Sequence, residues 1–382
     1  MRPSHLALLA VLLVVAAPTR ADAPVKSMSP VRVDAQLGDG VVVSTDQLKL
    51  TFRTRAQFRA EGVTEGEDGL LGVMVRRLRA VSAAEMFEGT LLLNVQLSFA
   101  PRDIEPDNPS VLRDAYLTWK PHREFNLKVG QMKVVFDRQR MNSSSSLLLP
   151  DRSLAQTELT LDRDVGVQVG SDDALGIDLI QYQLAIYGGD GRGRLAQDVG
   201  LLYVARLQIT PFGSFDDLDE TGVERDEKLR VAIAFAGAFN DDSPRPKSTT
   251  GIYDDSIRTD FLHATADTLV KVSGITLAAQ GQLRIATAVS GAQEASSAVG
   301  GFVQLGIPAT DHIELAGRIG RLAPFVAPVR NPVGFVGQTE IRPGVNVYFH
   351  GHEAKLQGAV GLVLNDDGTR KVDGQLQMQL WF

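Results

Sequence analysis

The chain has 382 residues, no cysteine and a formal net charge of −7. The lack of cysteine excludes a disulfide framework and a thiolate metal site, and the negative charge argues against general nucleic-acid binding. A chain of this size must therefore be held by a large core or by a closed hydrogen-bonded sheet.

The first residues have the features of a secretory signal peptide. Arg2 and His5 precede an apolar run from Leu6 to Ala17, and small residues follow. The run of about 12 apolar residues is shorter than the roughly 20 that a membrane-spanning helix needs. We expect a signal peptide at 1–23, a periplasmic segment at 24–46 and a single domain at 47–382.

From residue 48 onward, apolar and polar residues alternate with the period of a β-strand. Most of these segments have about 10 to 13 residues, which is longer than a globular strand and matches a strand tilted across a membrane. Sixteen strands are predicted, near residues 48–59, 70–81, 87–99, 112–120, 124–134, 163–170, 177–188, 200–210, 229–239, 260–271, 274–287, 299–307, 312–321, 338–349, 354–365 and 372–382.

The connections between these strands alternate in length. Short ones such as "SAAEM" and "PHRE" alternate with longer ones such as "EGVTEGEDG" and "PRDIEPDNPS". Short periplasmic turns and long external loops are typical of outer-membrane barrels. The connection at 211–228 departs from this pattern, because it is long where a short periplasmic turn is expected.

Aromatic residues on the apolar faces form two predicted girdles at the strand ends, as on the lipid-facing exterior of a barrel. One girdle contains Phe87, Trp119, Phe125, Phe349 and Phe382, and the other contains Phe58, Phe99, Tyr203 and Phe239. In the alternative, a soluble sandwich of two sheets, these aromatics would point into a core. We expect an all-β fold, a transmembrane antiparallel barrel of about 16 strands, because a sheet can span lipid only when it closes on itself.

The fifth connection, at 135–162, is far longer than its neighbours. Loops above about 12–15 residues are usually functional or disordered. This one is the third external loop of the predicted topology, and we expect it to fold into the lumen. Its Arg138, Arg140 and Arg152 are therefore candidates for a constriction.

Two motifs carry a family resemblance. The stretch from "RDAYLTWK" through "VGQMKVVFDRQR" to "LLLPDRS", followed by "RDVGVQVG", resembles the phosphate-selective porin O and P family, as do "YGGDGRG" and "IELAGRIG" further on. The resemblance implies a trimeric sixteen-stranded outer-membrane channel whose third external loop enters the pore. It also implies that rows of Arg and Lys select phosphate in some members.

The pore-lining candidates are basic residues that the strand alternation places on the polar, lumen-facing side of the barrel. Rows of basic side chains favour anions, and the planar donor fork of arginine suits phosphate. The candidates are Lys49, Arg53, Arg55, Arg59, Lys128, Arg206, Arg284 and Arg318. Several carboxylates share this parity, so the alternative is a balanced wall in which each arginine pairs with an acid. The orientation of Arg76, Arg77 and Arg79 stays open, because adjacent residues of a regular strand cannot all face inward.

These features predict a water-filled channel for passive diffusion of small solutes, preferring anions such as phosphate, in the outer membrane of a Gram-negative bacterium. No cofactor, metal or catalytic residue is predicted. The expected partners are membrane lipid and lipopolysaccharide, the barrel-assembly machinery and two further copies in a homotrimer. Phe382, at the end of an alternating strand, resembles the signal that this machinery reads. The alternatives are a non-conducting structural barrel and, less favoured, a barrel enzyme.

Overall fold

The computed structural model describes residues 30–66, 68–105, 108–194, 200–213, 218–222, 228–254, 256–290 and 295–382. The predicted signal peptide at 1–23 lies outside the described residues. The strands are β1 Arg32–Gln36, β2 Gly40–Ser44, β3 Leu48–Glu65, β4 Asp68–Met86, β5 Leu91–Ser98, β6 Leu112–His122, β7 Phe125–Lys133, β8 Arg163–Ser171, β9 Ile180–Tyr187, β10 Leu202–Ile209, β11 Arg230–Ser243, β12 Arg258–Val272, β13 Ile275–Ser290, β14 Ala298–Pro308, β15 Ile313–Pro324, β16 Gln338–His350, β17 Ala354–Asn365 and β18 Arg370–Trp381.

Strands β3 to β18 form a closed antiparallel barrel of sixteen strands. Each pairs with the next along the chain, and β18 returns to β3 with the register Lys371↔Glu65 at one end and Trp381↔Arg55 at the other. The predicted fold class and strand number are confirmed.

The barrel exterior is apolar and its interior is polar. In β10, for example, Tyr203 and Leu207 are exposed, whereas the alternating Arg206 and Gln208 are buried. This alternation is what a sheet shows when one face meets lipid and the other faces a lumen. It explains why a protein without a large apolar core can bury so many charged side chains.

Three sequence predictions were wrong in detail. The predicted external loop at 61–69 is mostly strand, because Gly62 lies within the extended β3 and Gly66, with a φ of 63°, lies in the turn to β4. Phe87 lies in the turn before β5 and has a positive φ of 53°, so the third strand starts later than predicted. Phe58 lies near the middle of β3, opposite Met378, rather than in a girdle at a strand end.

The short hairpin β1–β2 extends the sheet beside β3. The pairs run from Val41↔Phe52 to Ser44↔Lys49, which is the part of β3 beyond the end of β18. The hairpin therefore covers an edge that would otherwise present unpaired backbone groups. It falls within the predicted periplasmic segment at 24–46, whose compartment stays a prediction.

Two short helices lie in the connection from β7 to β8. In α1, Arg138–Met141, the Asp137 side chain caps the helix by accepting from the Arg140 N–H at 2.7 Å. In α2, Leu154–Leu159, Ser153 caps in the same way, accepting from the Gln156 N–H at 3.1 Å. Within the described ranges, no helix is long and apolar enough to cross a membrane.

Candidate functional site

The connection between β7 and β8, residues 134–162, is anchored by its backbone to the polar face of the barrel wall. Asn346 donates to the Leu148 carbonyl at 2.9 Å, and Gln357 donates to the Leu147 carbonyl at 3.1 Å. The Leu147–Leu149 patch itself is fully buried. Gly344 makes room for it, since a Cβ at this position would lie 2.6 Å from Leu149 Cδ2. These bonds attach the segment to β16 and β17.

The helix α2 anchors the same connection to a neighbouring part of the wall. Leu159 packs in a small apolar cluster with Ala298 of β14 and Leu322 of β15. Arg284 of β13 donates to the Glu158 carboxylate at 2.7 Å and to the Ser296 carbonyl at 2.8 Å. The predicted pore-lining residue Arg284 thus pairs with the connection itself.

A polar cavity of about 440 Å³ lies between this connection and the strands β3, β4, β6 and β8. Among the described residues that line it, eleven are basic and only four are acidic. The basic residues are Arg55, Arg76, Arg77, Arg79, Arg102, Arg113, Lys133, Arg140, Arg152, Arg163 and Arg192, and the acidic ones are Asp103, Glu105, Asp151 and Asp162.

Two irregularities in strand pairing place additional arginines in this cavity. The register of β3 with β4 passes from Gln57↔Arg77 to Phe58↔Val75, so that Arg76 is an extra residue. In the same way, Arg113 is an extra residue of β6 opposite β5. A bulge of this kind re-aims a side chain. Both Arg76 and Arg77 consequently reach the cavity, which regular alternation forbids.

Three cations of the cavity have no acidic partner among the residues that the structure describes. Arg55 donates to the hydroxyls of Ser143 at 2.8 Å and Ser144 at 3.3 Å. Arg152 and Lys133 donate only to backbone carbonyls, both reaching that of Asn142. No carboxylate of the described residues lies within 4.0 Å of these three cations. The described partners of these three side chains are therefore neutral oxygens, of hydroxyls for Arg55 and of backbone carbonyls for Arg152 and Lys133.

Some guanidinium donors in the cavity are also unsatisfied. The buried Nε atoms of Arg55, Arg76 and Arg113 have no hydrogen-bond partner in the part of the chain that the structure describes. Burying a polar group without a partner is costly, so such donors favour a bound acceptor. The cavity therefore contains buried N–H donors that an oxygen acceptor could satisfy.

The carboxylates of the cavity are strongly paired. Arg79 donates to Asp103 at 2.9 Å, and Arg140 donates to Asp162 at 2.8 Å. Burial alone would raise the pKa of Asp103, but the charges of Arg79 and Arg113 outweigh it and hold this pKa below its usual value. The pKa of Asp162 is likewise lowered, because neighbouring arginines outweigh its burial. Both carboxylates stay ionised at neutral pH.

Of the eight predicted pore-lining residues, only Arg55 lines the cavity. Arg140 and Arg152 line it among the three candidates in the long connection, whereas Arg138 is buried beside Glu220. The others have partners elsewhere: Arg59 pairs with Asp151, Arg206 with Asp267, Arg284 with Glu158, Arg318 with Glu340 and Lys49 with Glu85, while Arg53 donates to the Asp39 carbonyl and Lys128 lies over Tyr116. Their roles in permeation stay predictions.

Sequence reasoning did not identify Arg113, Lys133, Arg163 and Arg192 as cavity residues. Lys133 and Arg163 face each other across β7 and β8, directly where the long connection begins and ends. Because both residues directly flank the long connection in the sequence, they could have been identified as cavity candidates from their position. Arg113 could not be assigned, because regular alternation places it opposite to its neighbour Asp114.

The unusually long connection between β10 and β11 contacts both the β7–β8 connection and the barrel wall. Within its described residues 218–222, the Leu218 carbonyl accepts from Asn142 at 2.5 Å. Glu220 is buried and accepts from Gln139 at 3.0 Å. Its backbone carbonyl accepts from Thr276 of β13 at 2.9 Å. The two long connections are therefore bonded to each other.

A closed sixteen-stranded barrel with an apolar exterior and a charged interior defines an outer-membrane porin. The model of one family, phosphate-selective porin O and P, matches residues 48–269, which is more than half of the chain. The chain belongs to this family, and the resemblance seen in the sequence is confirmed.

Solved structures of other porins share the fold. An anion-selective porin from Comamonas acidovorans is 10% identical with a TM-score of 0.61, covering 88% of this chain and 100% of that chain. Outer-membrane OmpT of Vibrio cholerae is 12% identical with a TM-score of 0.56, covering 89% and 100%. The outer-membrane channel DcaP of Acinetobacter baumannii is 12% identical with a TM-score of 0.55, covering 89% and 99%. No curated protein sequence matches the chain.

Proposed function

We propose that this porin lets small anions diffuse passively through its lumen and prefers oxyanions such as phosphate. The observation that carries the proposal is the cavity, with eleven basic and four acidic side chains and with Arg55 free of any carboxylate partner among the described residues. Membership of a family described as phosphate-selective supports it as well.

The chemistry of the cavity favours an anion over a cation. An ion that enters must give up part of its hydration shell, and basic side chains replace those waters only for an anion. The buried, unsatisfied Nε donors of Arg55 and Arg113 are ready to bond an oxygen acceptor. Guanidinium groups match the geometry of phosphate and carboxylate oxygens better than that of a spherical ion.

We further infer that residues 134–162 cross the lumen and form its constriction. Support comes from bonds to well-separated parts of the wall: Arg55 of β3 reaches Ser143, and Asn346 of β16 reaches Leu148. Anions would then pass on the side of β3 to β8, where the cavity lies. The side of β13 to β17 is occupied by the anchors of the connection.

The proposal is tested by the reversal potential of the purified protein in a planar bilayer under a salt gradient. We expect an anion-selective potential, and inhibition of the chloride current by phosphate. Arg55→Gln should reduce the anion preference and weaken phosphate inhibition by about tenfold, since a hydrogen bond to a charged group is lost.

Arg321→Gln is the matched control, because Arg321 pairs with Asp366 at an exposed turn away from the cavity. It should behave like the wild type. A cation-selective potential, or an Arg55→Gln channel indistinguishable from wild type, would contradict anion selection at this cavity.

A non-conducting structural barrel is the second candidate. It is favoured by the bonds between the two inward connections, which fill part of the interior. A bilayer that shows no conductance steps with correctly folded protein would support this candidate instead.

The finer assignments of location and assembly are also proposals. We infer that residues 1–23 are removed as a signal peptide and that the barrel resides in a Gram-negative outer membrane among lipid and lipopolysaccharide. We also infer that the barrel-assembly machinery inserts the barrel and that three copies associate. Family membership and the apolar exterior support these assignments. Crosslinking in intact membranes tests the trimer.

A further inference from the structure

The turn between β16 and β17 contains a histidine whose two ring nitrogens contact different parts of the molecule. Nε2 of His352 lies 2.9 Å from the Thr221 hydroxyl in the β10–β11 connection, and Nδ1 lies 3.2 Å from Lys355 Nζ on β17. The His352 side chain is only 14% exposed, and its ring packs edge-on against the ring of Tyr348. His352 therefore lies at a largely buried junction between the barrel wall and a long connection.

The β7–β8 connection is attached to the same junction. Lys355 is fully buried and donates to the Leu147 carbonyl at 3.3 Å, in addition to its contact with His352. Glu314 of β15 accepts from the Gly222 N–H of the β10–β11 connection at 3.0 Å. A small group of residues in the wall and the β16–β17 turn thus holds both long connections.

The contacts of His352 require a neutral ring. An ammonium group can only donate, so Nδ1 accepts from Lys355, and the single ring proton lies on Nε2, which donates to the Thr221 hydroxyl. A second proton would make Nδ1 a donor that faces the Lys355 ammonium. Repulsion between two cations would then replace the hydrogen bond.

The surroundings of His352 disfavour this second proton. Burial, followed by the positive charges of Lys355 and Lys271, lowers the pKa of His352 well below its ordinary value. The Asp219 carboxylate, 4.0 Å from Nε2, is a nearby charge of the opposite sign. The ionisable groups around the junction are Lys355 on β17, Lys271 on β12, Tyr348 on β16, Glu314 on β15, Arg55 on β3, Asp219 in the β10–β11 connection and Glu353 in the turn.

We propose that His352 is a pH-sensitive joint, which holds the two long connections against the wall while its ring is neutral and loosens them when the ring binds a second proton. This inference rests on the proposed constriction by residues 134–162 and adds a regulatory role for the β10–β11 connection. After protonation one side chain must move away from the other. Movement of His352 breaks the contact with Thr221, and movement of Lys355 breaks the bond to the Leu147 carbonyl.

Proton linkage gives the expected pH dependence. An exposed histidine has a pKa of about 6.5, whereas the held ring resists protonation to lower pH. Below about pH 6.5 the loosened state therefore binds a proton that the held state does not bind. The ratio of loosened to held molecules rises by up to about tenfold per pH unit, until the held ring is itself protonated.

Single-channel recordings of the purified protein in planar bilayers, made at a series of pH values, test the joint. We expect steady conductance at about pH 7 and reversible current interruptions that become more frequent below about pH 6. His352→Gln keeps hydrogen-bonding groups in the turn but does not titrate, so its interruptions should stay as rare at acid pH as at neutral pH. A wild type without acid-induced interruptions, or a His352→Gln channel that retains them in full, would overturn the inference.

Two further variants make the result specific. His350→Gln is the matched control, because His350 lies in the same turn with a 65% exposed side chain and pairs with Glu353, and it should keep the wild-type pH response. Thr221→Val removes the hydroxyl partner but leaves the titrating ring, so interruptions should already be frequent at neutral pH. Heat-modifiable migration checks that each variant is assembled. A Thr221→Val channel that behaves like the wild type at every pH would contradict the joint independently of His352→Gln.

Reversal potentials from the same recordings separate this inference from the proposed function. An anion-selective wild type that conducts steadily at every pH contradicts only the role of His352. A wild type that shows acid-induced interruptions but no anion preference contradicts the proposed selectivity and supports the joint. A barrel that does not conduct contradicts both.

Discussion

Arginine side chains have two distinct roles in this barrel, although they look alike in the sequence. Arg206 and Arg318 are buried, and each makes two bonds to one carboxylate, with Asp267 and Glu340 respectively. Removing one partner of such a buried pair typically costs about 3–5 kcal/mol, because the other charge stays buried alone. Arg55, by contrast, bonds only hydroxyls beside the cavity. The first group is paired within the wall, whereas Arg55 has no carboxylate partner among the described residues.

The pKa values of three acids at the cavity predict that the anion preference does not change between about pH 7 and about pH 4. The pKa values of Asp103, Asp151 and Asp162 are all lowered, since neighbouring arginines outweigh the effect of burial. An acid with a lowered folded-state pKa stabilises the fold above its unfolded pKa, and this contribution is lost as pH falls through the folded value. The ion pairs should therefore persist from about pH 7 to about pH 4.

Reversal potentials measured across this range test the prediction, and we expect no change in anion preference. A marked change between pH 7 and 5 would contradict this prediction. Asp151→Asn, measured in parallel, shows whether the Asp151 carboxylate is the group responsible.

Three residues that line the cavity were candidates from the sequence. Arg55 was selected by the alternation of polar and apolar residues along its strand, and Arg140 and Arg152 were selected because their connection is unusually long. What parity cannot provide is the partner of each arginine. Whether Arg318 contacts Glu340 or an open cavity depends on how far each strand extends along the barrel. It also depends on the path of a connection nearly 170 residues away in sequence, because Arg318 donates to the Asp151 carbonyl of that connection. Such distant contacts have no periodic signal.

At the scale of elements, the period of two predicted most of the sixteen barrel strands clearly, whereas the second, tenth and twelfth were only weakly periodic. It failed where the chain departs from regular alternation. The bulge at Arg76 admits two consecutive arginines to the interior, and the extended Gly62 was mistaken for part of a loop. A bulge depends on how two strands pair, so one strand read alone does not reveal it.

Single-residue deletions in β4 test this interpretation. Deleting Arg76 should remove the extra residue and leave the alternation of β4 intact, so the barrel should assemble. Deleting Val75 shortens the chain equally but moves Arg76 to the lipid-facing position opposite Phe58, which near the membrane centre costs about 2–4 kcal/mol. We expect the second variant alone to lose folded barrel, measured by heat-modifiable migration of membrane extracts. Equal loss in both variants would contradict the assigned bulge.

At the scale of the whole molecule, the barrel depends on the seam between its first and last barrel strands. The last pairs join Thr54 with Phe382, whose backbones exchange bonds of 2.6 and 3.0 Å. The Phe382 ring is 58% exposed on the exterior. The β1–β2 hairpin continues the pairing of β3 beyond this point.

Phe382→Asp should reduce the amount of assembled barrel in outer-membrane fractions several-fold, while the assembled remainder keeps wild-type conductance. Phe349→Asp is the matched comparison, because Phe349 ends β16 with similar exposure. A greater defect at Phe382 would support its role as an assembly signal. An equal defect in the two variants would show that Phe382 acts only as an interfacial aromatic and not as an assembly signal.

The bonding of the two inward connections also dictates an order of events as the molecule forms. Residues 147–148 bond to Asn346 and Gln357, and Gly222 of the other connection bonds to Glu314. These partners lie on β15 to β17, which are among the last strands along the chain. Neither connection can reach its final place until those strands have arrived, and contacts so distant in sequence form slowly. The contacts that these two connections make with the wall are therefore completed late, after most of the barrel strands have been placed.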